Sequence, residues 1–463
     1  ITNGLGKDQV AGSSGADNID LGAGDDVAFV SVSDLTSDVA IVGGTGNDTL
    51  NFGYIYNVSV TGHSFDDSVN VNMSSLGNAS NFENLVGTIS GADTLTGNSS
   101  DNVLIGSGGA DTLYGNSGDD TLYGDYGSGY GLRSYDIQSS QGNDKLFGGA
   151  GNDALSGNEG DDQLDGGTGT DTLIGGGGVD TFIIRVGDGS STLASADVIT
   201  DFEDGTDVIG FDDSLQYTDL TIVQGTGGNS NDALVSITTT GEYLAILQGI
   251  SATSINYYDF VSTATGGQTL NGTSSDDVLL GASGVDTVTT GTGADIVLTY
   301  GDDDAITVDG SGNKTIDGGT GTDTVSISYS GITGLNSFTV TMASDGKLSL
   351  VNSSSETISL SNIIDTSAGQ GDGITVNSKS YDFVDPQSSS NSRGRGDMHD
   401  GSLGSTQGVA YNSSDNEVVM YLEGDYATFH ASRVNGYTLG STALTISGSS
   451  GKDIITASSQ ADT

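Results

Sequence analysis

Aspartate recurs every nine residues along several stretches of this 463-residue chain, and this spacing is the first feature with chemical meaning. Between residues 144 and 180 the series is unbroken, and each Asp follows a glycine-rich run and precedes a short apolar stretch. A carboxylate is a hard oxygen ligand, and a glycine-rich turn exposes backbone carbonyls beside it. Calcium takes about six to eight such oxygens. The spacing therefore indicates a row of calcium sites.

One complete repeat is Gly166-Gly-Thr-Gly-Thr-Asp171-Thr-Leu-Ile174. Glycine at positions 1, 2 and 4 permits conformations that a Cβ disfavours, so six residues can turn tightly. The last three residues are predicted to form a short strand whose middle side chain points inward. Two repeats would make one coil, and stacked coils a parallel β-roll with calcium between the turns on each side. A flexible linker of this composition would not keep Leu or Phe at every ninth position.

The position-6 side chains are the candidate metal ligands, each shared between coils two repeats apart. Asn102 offers an oxygen without a charge, so we expect a weaker site there. Glycine is sparser after residue 272 and the repeat at 308–317 is irregular, so we expect fewer or weaker sites in that part. The candidates are Asp8, Asp17, Asp26, Asp48, Asp93, Asn102, Asp111, Asp120, Asp144, Asp153, Asp162, Asp171, Asp180, Asp277, Asp286, Asp295, Asp304, Asp323 and Asp453.

Charge balance sets the condition under which such a chain can fold. It has 62 Asp and Glu against 11 Lys and Arg, a formal net charge of -51. Acidity of this degree is typical of disordered chains, and the periodicity argues for a fold only if cations neutralise the acidic rows. Folding and metal binding are therefore predicted to be one equilibrium. The same charge excludes nucleic acid as a partner.

Several other chemistries are disfavoured by the residue types. The chain has no Cys, and His63, His399 and His430 lie in unrelated segments, so neither a His-based zinc site nor a His-dependent triad is expected. The Gly-x-Gly triplets lead into Asp and a short strand, not into a helix, so they are not phosphate loops. No apolar run approaches the roughly 18 residues of a membrane span. We therefore expect a chain without catalytic activity.

The repeat G-G-x-G-x-D-x-U-x, with U an aliphatic or aromatic residue, resembles the RTX (haemolysin-type calcium-binding) family. After the repeats, the segment from Asp197 to Ile209 resembles the one that closes RTX rolls. The resemblance implies that Asp197, Asp201 and Asp207 add calcium ligands and that a capping strand follows. It also implies type I export from a Gram-negative-type bacterium to the cell surface or the extracellular space, with folding in calcium outside.

The predicted fold class is all-β, with parallel β-roll blocks alternating with small β-sandwich or sheet caps. Apolar runs at 220–223, 234–237 and 243–247 are read as the first cap, and runs at 337–342, 348–351, 357–360 and 374–376 as the second. The predicted divisions are N-terminal repeats with short strands (1–87), the main roll with its cap (88–262), a less regular roll with its cap (263–385), a Ser/Gly/Arg linker (386–408), and strands entering a further repeat (409–463).

An insertion and the two chain ends bear on possible partners. The segment from Gly124 to Tyr135 carries three Tyr on a glycine-rich frame, either as an extruded surface loop or as a contact surface for a neighbouring subunit or a glycan. Both ends of the chain lie inside a repeat, so we expect it to be part of something longer. The start at Ile1–Asp8 aligns with Ile446–Asp453, which is consistent with one unit of a tandem array.

The function these features favour is structural. We expect a calcium-binding building block of a surface layer, a filament or an adhesin, which folds and self-assembles when multiple calcium ions bind between the coils. The alternatives are the calcium-dependent module of an exported protease, lipase or epimerase whose catalytic domain lies outside this chain, and a glycan-binding module.

Overall fold

The computed structural model describes residues 4–11, 16–31, 34–53, 68–125, 142–212, 215–334, 337–342, 347–363, 373–384, 407–412, 417–422, 428–430, 444–447 and 454–456. Asp453, residues 54–60 of the segment predicted to hold the N-terminal short strands, the tyrosine insertion beyond Asp125 and the linker up to residue 406 lie outside these residues. The chain divides into two compact units: Ile1–Leu215 with Asp219–Val261, and Gln216–Thr218 with Ser262–Thr463.

The first unit consists of short strands, β1 to β23. In chain order they are Gln9–Ala11, Asn18–Asp20, Val27–Phe29, Ala40–Val42, Thr49–Asn51, Asn70–Asn72, Ala79–Ser80, Asn84–Val86, Thr94–Thr96, Val103–Ile105, Thr112–Ser117, Thr121–Tyr123, Lys145–Ala150, Ala154–Glu159, Gln163–Thr168, Thr172–Gly177, Thr181–Ile184, Asp197–Ile199, Val208–Phe211, Leu220–Gln224, Ala233–Ile237, Tyr243–Leu247 and Phe260–Ser262.

Helical segments are few and short among the described residues. They are the α-helix α1 (Asp34–Ser37) and the 3₁₀ turns Met73–Ser75, Leu193–Ser195, Tyr217–Asp219, Gly227–Asn229 and Tyr257–Asp259. None of the described helices has the length and apolar character needed to cross a membrane.

Successive repeats alternate between two sheets of the roll. One sheet has twelve strands in the order β1-β3-β5-β8-β10-β12-β14-β16-β18-β22-β21-β20, and the other has eight in the order β23-β19-β17-β15-β13-β11-β9-β6. A third, of three strands, has the order β2-β4-β7. Because repeats two apart pair in parallel, Leu146 stacks on Leu164 and Leu155 on Leu173. These side chains are 0–1% exposed and form the interior between the two sheets.

Strands in the middle of the roll are longer than the predicted three residues. Strands β11 and β13 to β16 each have six residues and continue into the glycine-rich start of the next repeat. Pairing of Asn158 with Gly176 shows how the ladder continues past the strand predicted from the sequence. In these repeats the turn is therefore shorter than the six residues expected.

An antiparallel cap ends the twelve-stranded sheet. Strand β22 pairs in parallel with β18, and β21 and β20 then add antiparallel strands. These are the predicted cap strands, with ends that differ by a residue. At the other end, β5, β8 and β10 are neighbours in one sheet, so the roll runs through the predicted division at residue 87 without interruption.

The second unit repeats the plan of coils followed by antiparallel strands. Strands β24 to β40 are Thr269–Asn271, Val278–Leu280, Thr287–Thr289, Asp295–Leu298, Ala305–Val308, Lys314–Asp317, Thr324–Ile327, Phe338–Met342, Leu348–Asn352, Thr357–Ser361, Gly373–Val376, Lys379–Val384, Gln407–Asn412, Glu417–Leu422, Thr428–His430, Leu444–Ser447 and Ile454–Thr456.

Its coils alternate between a nine-stranded and a six-stranded sheet. The orders are β24-β26-β28-β30-β34-β35-β36-β37-β39 and β25-β27-β29-β33-β32-β31, and β38 pairs with β40. Val288, Ile306 and Val325 stack in the core of the first sheet, and Ile316, Leu350 and Ile358 join them from the second. The predicted all-β architecture of parallel β-rolls with sheet caps is confirmed.

Candidate metal centre

Position-6 carboxylates form hydrogen-bonded columns along both edges of the first roll. The backbone N–H of Asp144 donates to Asp162 Oδ1 at 2.8 Å, and the N–H of Asp162 donates to Asp180 Oδ1 at 3.0 Å. On the other edge the N–H of Asp153 donates to Asp171 Oδ1 at 2.7 Å. The first column contains Asp93, Asp111, Asp144, Asp162, Asp180 and Asp207, and the second Asn102, Asp120, Asp153, Asp171 and Asp197.

The N-terminal repeats extend the same arrangement with two side chains that sequence reasoning missed. From Asp8 a column runs through Asp26 and Asp48, and the N–H of Asp48 then donates to Glu83 Oε2 at 2.8 Å. Glu83 directly precedes the strand Asn84-Leu85-Val86, as the position-6 Asp precedes the strand in other repeats. A search that allowed Glu at position 6 would therefore have found it. The N–H of Asp17 donates to Asp38, which follows α1 in place of a glycine-rich turn.

The second roll has two columns of its own. On one edge the N–H of Asp277 donates to Asp295 Oδ1 at 3.1 Å. On the other, Asp286 donates to Asp304 Oδ1 at 2.7 Å and Asp304 to Asp323 Oδ1 at 2.9 Å. Every predicted position-6 residue that the structure describes therefore lies in a column or at its end.

The other oxygen of most of these carboxylates is buried without a hydrogen-bond partner. A buried polar atom left unpaired costs about 1–3 kcal/mol, and more when it is charged, so a row of them points to a missing partner. The Oδ2 atoms concerned belong to Asp26, Asp48, Asp111, Asp120, Asp144, Asp153, Asp162, Asp171, Asp295, Asp304 and Asp323, and that of Asp295 lies beside the ammonium of Lys314.

The backbone at position 2 of each repeat decides whether that oxygen is paired. Where position 2 is not left-handed, its N–H donates to the side-chain oxygen: Thr88 to Asp93 at 2.5 Å, Asn98 to Asn102 at 2.8 Å and Ala282 to Asp286 at 2.9 Å. In the repeats whose Oδ2 is unpaired, apart from that of Asp144, position 2 has a positive φ. Those position-2 residues are Gly22, Gly44, Ser107, Asn116, Gly149, Asn158, Gly167, Gly291, Tyr300 and Gly319.

Position 1 is glycine for a steric reason. The Oδ2 of Asp153 and the carbonyl oxygen of Gly166 in the next coil both lie against the Cα of Gly148. A Cβ on Gly148 would clash with both atoms, and the same holds for Gly106 against Asp111 Oδ2 and the carbonyl of Gly124. Glycine thus leaves carboxylate and carbonyl oxygens facing one small space between coils.

Burial raises the pKa of the column carboxyls. It raises the pKa of Asp111 to about 9 and those of Asp144 and Asp162 to about 8. Burial is the largest cause of these pKa values; neighbouring carboxylates of the same column contribute to the rise, and the backbone hydrogen bond from the preceding Asp opposes it. On the other edge burial raises the pKa of Asp153 to about 7. A divalent cation would remove both causes of the rise.

Asp125 is a further buried carboxylate that the spacing did not predict. It is 0% exposed, its Oδ1 has no hydrogen-bond partner, and burial raises its pKa to about 6. Its charge acts on Asp111, Asp144 and Asp162, so it adds to the first column. Gly124 contacts Asp144 Oδ2 as position-1 glycines do elsewhere. The insertion after Asp125 therefore falls within one turn of the roll and does not divide the roll into two.

The three cap carboxylates have different surroundings. Asp201 accepts the N–H of Gly175 and of Gly176, one on each oxygen at 3.0 Å, and Asp207 accepts the N–H of Asp180 and of Glu203. Burial, with the nearby charge of Asp171, raises the pKa of Asp197 to about 8. Asp197 therefore resembles the column carboxyls, whereas Asp201 and Asp207 close the last turns by hydrogen bonding. Calcium ligation by the three remains a prediction.

The donor set fits calcium. Buried carboxylate oxygens without partners stand beside backbone carbonyls, which are the hard ligands that calcium prefers. Among the described residues no three Asp, Glu or His side chains form a cluster that could hold a metal ion. Backbone carbonyls would therefore complete the coordination of an ion held by the one or two carboxylates at each position.

Comparison with known proteins bears on the repeats directly. The family model of the RTX calcium-binding nonapeptide repeat matches residues 2–29, 38–53, 88–127, 136–164, 147–182, 156–190, 263–297 and 445–463. No curated protein matches the chain.

A solved structure that matches is the solution structure of the AlgE6R3 subunit from the Azotobacter vinelandii mannuronan C5-epimerase. It is 22% identical, the alignment covers 44% of this chain and 83% of that chain, and the TM-score is 0.16. At that score the similarity supports no argument about function. The family match falls on repeats whose carboxylates form the two columns, so this chain contains RTX calcium-binding nonapeptide repeats.

Proposed function

We propose that this chain is a non-catalytic building block of a secreted surface protein, such as a surface layer, a filament or an adhesin stalk. Several calcium ions bind between its coils, and the chain folds and self-assembles as they bind. The observation that supports this proposal is the row of buried, unpartnered Oδ2 atoms along both edges of the roll.

Calcium is the element that makes such a roll stable. The chain carries a formal charge of -51, and the columns place like charges next to one another in a buried setting. Without cations this repulsion and the loss of hydration oppose folding. Extracellular calcium modules bind with dissociation constants of about 0.1–1 mM, so the chain would stay unfolded in a cell and fold after export.

Continuous pairing makes the first unit suitable as a stiff element. Its larger sheet has twelve strands without a break. At a strand spacing of about 4.8 Å such a sheet extends roughly 50 Å along the roll. Ions between successive coils would resist both bending and unravelling from the ends.

Electron microscopy with and without calcium tests the proposal. We expect purified protein to form ordered sheets or fibres in millimolar calcium, on the order of extracellular levels, and to disperse in chelator. Circular dichroism of the same samples should show that β-structure is lost in chelator and returns with calcium. Monodisperse particles at every calcium level would contradict self-assembly and would favour a calcium-folded module that serves a domain outside this chain.

A further inference from the structure

One position-6 site in the second roll holds a lysine. Lys314 pairs in register with Asp295 of the preceding coil, so it stands where the column of Asp277 and Asp295 would continue with a carboxylate. It lies in the irregular repeat at 308–317, where the nonapeptide spacing changes. The side chains of Lys314 and Asp295 are both 0% exposed.

Three oxygen atoms surround the ammonium group. Lys314 Nζ lies 2.8 Å from Asp295 Oδ2 as an ion pair, and it donates hydrogen bonds to the carbonyls of Gly293 at 2.6 Å and of Ser311 at 3.0 Å. The ammonium therefore uses two of its three donors in hydrogen bonds and pairs its charge with the carboxylate. One carboxylate and two carbonyls from successive coils are also the oxygen types that calcium takes.

The opposite edge of the same roll shows the contrast. There Asp304 and Asp323 keep the column geometry, but their Oδ2 atoms are buried without a hydrogen-bond partner. Asp295 Oδ2 also accepts no hydrogen bond, but it differs because Lys314 Nζ of the next coil lies 2.8 Å from it as an ion pair. A buried carboxylate is stable only when its charge is paired, and here the pairing charge belongs to the chain itself.

We infer that Lys314 is a tethered cation that takes the place of a metal ion at this edge of the second roll. The coils around Asp295 are thereby held together without calcium, while the neighbouring carboxylates still require it. This inference rests on the proposed binding of calcium at the other column positions.

Substitution of Lys314 in the full chain tests the inference. Lys314→Asp should restore the column and increase the number of calcium ions bound by about one relative to wild type, measured by equilibrium dialysis.

Lys314→Met should bind no additional ion and should lower the melting temperature of the second unit by roughly 5–10 °C, because it leaves Asp295 buried and unpaired. Removing that charge as well, in the double variant D295N/K314M, should recover most of the loss. Lys145→Met, at an exposed lysine of the first roll, should change neither quantity.

A folded Lys314→Asp variant that binds the same number of ions as wild type would overturn the inference, as would a Lys314→Met variant with the wild-type melting temperature.

A measurement on wild type covers the case in which the Lys314→Asp variant does not fold. In calcium, amine acylation mapped by mass spectrometry should modify Lys314 at least about tenfold more slowly than Lys145, and equal rates would contradict the buried ion pair. Failure of wild type itself to bind calcium would instead contradict the proposed function.

Discussion

At the scale of single residues, most column aspartates use their two oxygens differently. Oδ1 accepts a backbone N–H from the coil below and fixes the rotamer, as at Asp162. Oδ2 is left buried beside a glycine Cα and a carbonyl. The first oxygen contributes to the fold with or without metal, and the second is the one that a cation would stabilise.

This division predicts opposite effects of Asp162→Asn in two buffers. Asn keeps an oxygen for the N–H of Asp144 but removes the charge. In calcium the variant should bind fewer ions and unfold at a lower temperature. In calcium-free buffer it should be more stable than wild type by about 1–3 kcal/mol, because its folded state no longer has to bury an unpaired charge or take up a proton to avoid one. A thermal melt in calcium measures the first effect, and the amount of β-structure by circular dichroism in calcium-free buffer measures the second.

The control for this variant is Asp161→Asn, at the exposed neighbour whose Oδ1 accepts the N–H of Val179. It removes the same charge from the surface and should change both measurements little, because exposed charges interact weakly with their surroundings. Equal effects of the two variants would show that net charge, and not the buried column, controls stability.

Raised pKa values predict how the calcium-free protein responds to pH. Asp111, Asp144 and Asp162 have folded-state pKa values of about 8 to 9, against about 3.9 for an unfolded Asp. The folded state therefore binds more protons between these values, so the stability is greatest at low pH and falls as the pH rises toward the folded pKa. Acidifying calcium-free protein from about pH 8 to about pH 5 should increase its β-structure.

Circular dichroism across that range measures the response. Calcium affinity should fall as the pH is lowered, because protons and calcium compete for the same carboxylates. A calcium-free spectrum that stays unfolded throughout the range would show that the buried carboxyls are not what prevents folding.

At the scale of the coil, the left-handed residue at position 2 does two things. It turns the local N–H away from the carboxylate, and it brings successive turns into close backbone contact. A Cβ on Gly167 would clash with the carbonyl of Gly149, and its φ is +87°. Ser107, Asn116 and Asn158 accept the same conformation with side chains, at a strain of about 1–3 kcal/mol each.

We therefore expect Gly167→Ala to destabilise the calcium-bound roll by at least about 2 kcal/mol. Gly177→Ala is the matched control, since its φ is not left-handed and its Cβ would meet only the end of the Glu159 side chain, at 3.2 Å. Chemical denaturation in excess calcium compares the two. A small effect of Gly167→Ala would mean that the turn can relax and that its backbone contact is not essential.

At the scale of the whole molecule, the two units differ in how much they depend on calcium. Most of the Oδ2 atoms without a hydrogen-bond partner belong to the first unit, whereas in the described part of the second unit they belong to Asp295, Asp304 and Asp323. The second unit also contains the ion pair of Lys314 with Asp295. Both differences make the first unit the more calcium-dependent.

Hydrogen exchange during calcium withdrawal should show this order. As free calcium falls, strands β13 to β16 should lose protection at a higher calcium concentration than strands β27 to β29. Mass spectrometry of peptic fragments from the full chain resolves the two regions. If both regions lost protection at the same calcium concentration, or the second unit lost it first, the role assigned to Lys314 would be contradicted. The greater calcium dependence of the first unit would be contradicted as well.

Short-range periodicity determined much of this protein. The position-6 Asp and the inward Leu repeat every nine residues, and the cap strands alternate apolar and polar residues. The β-roll, its columns and cap strands such as β20 to β22 could therefore be predicted from the sequence. Where the spacing breaks, the prediction failed: Asp38, Asp125 and Lys314 were not assigned to columns.

Only the tertiary structure decided which carboxylate oxygens lie unpartnered and which side chains face them. That outcome depends on contacts between coils about 18 residues apart and on the sign of φ at position 2, neither of which a nonapeptide pattern records. Lys314 shows the reason most clearly. A lysine does not match the carboxylate expected at position 6 of the repeat. Only its register opposite Asp295, with both side chains buried, shows that its ammonium stands where a metal ion would lie.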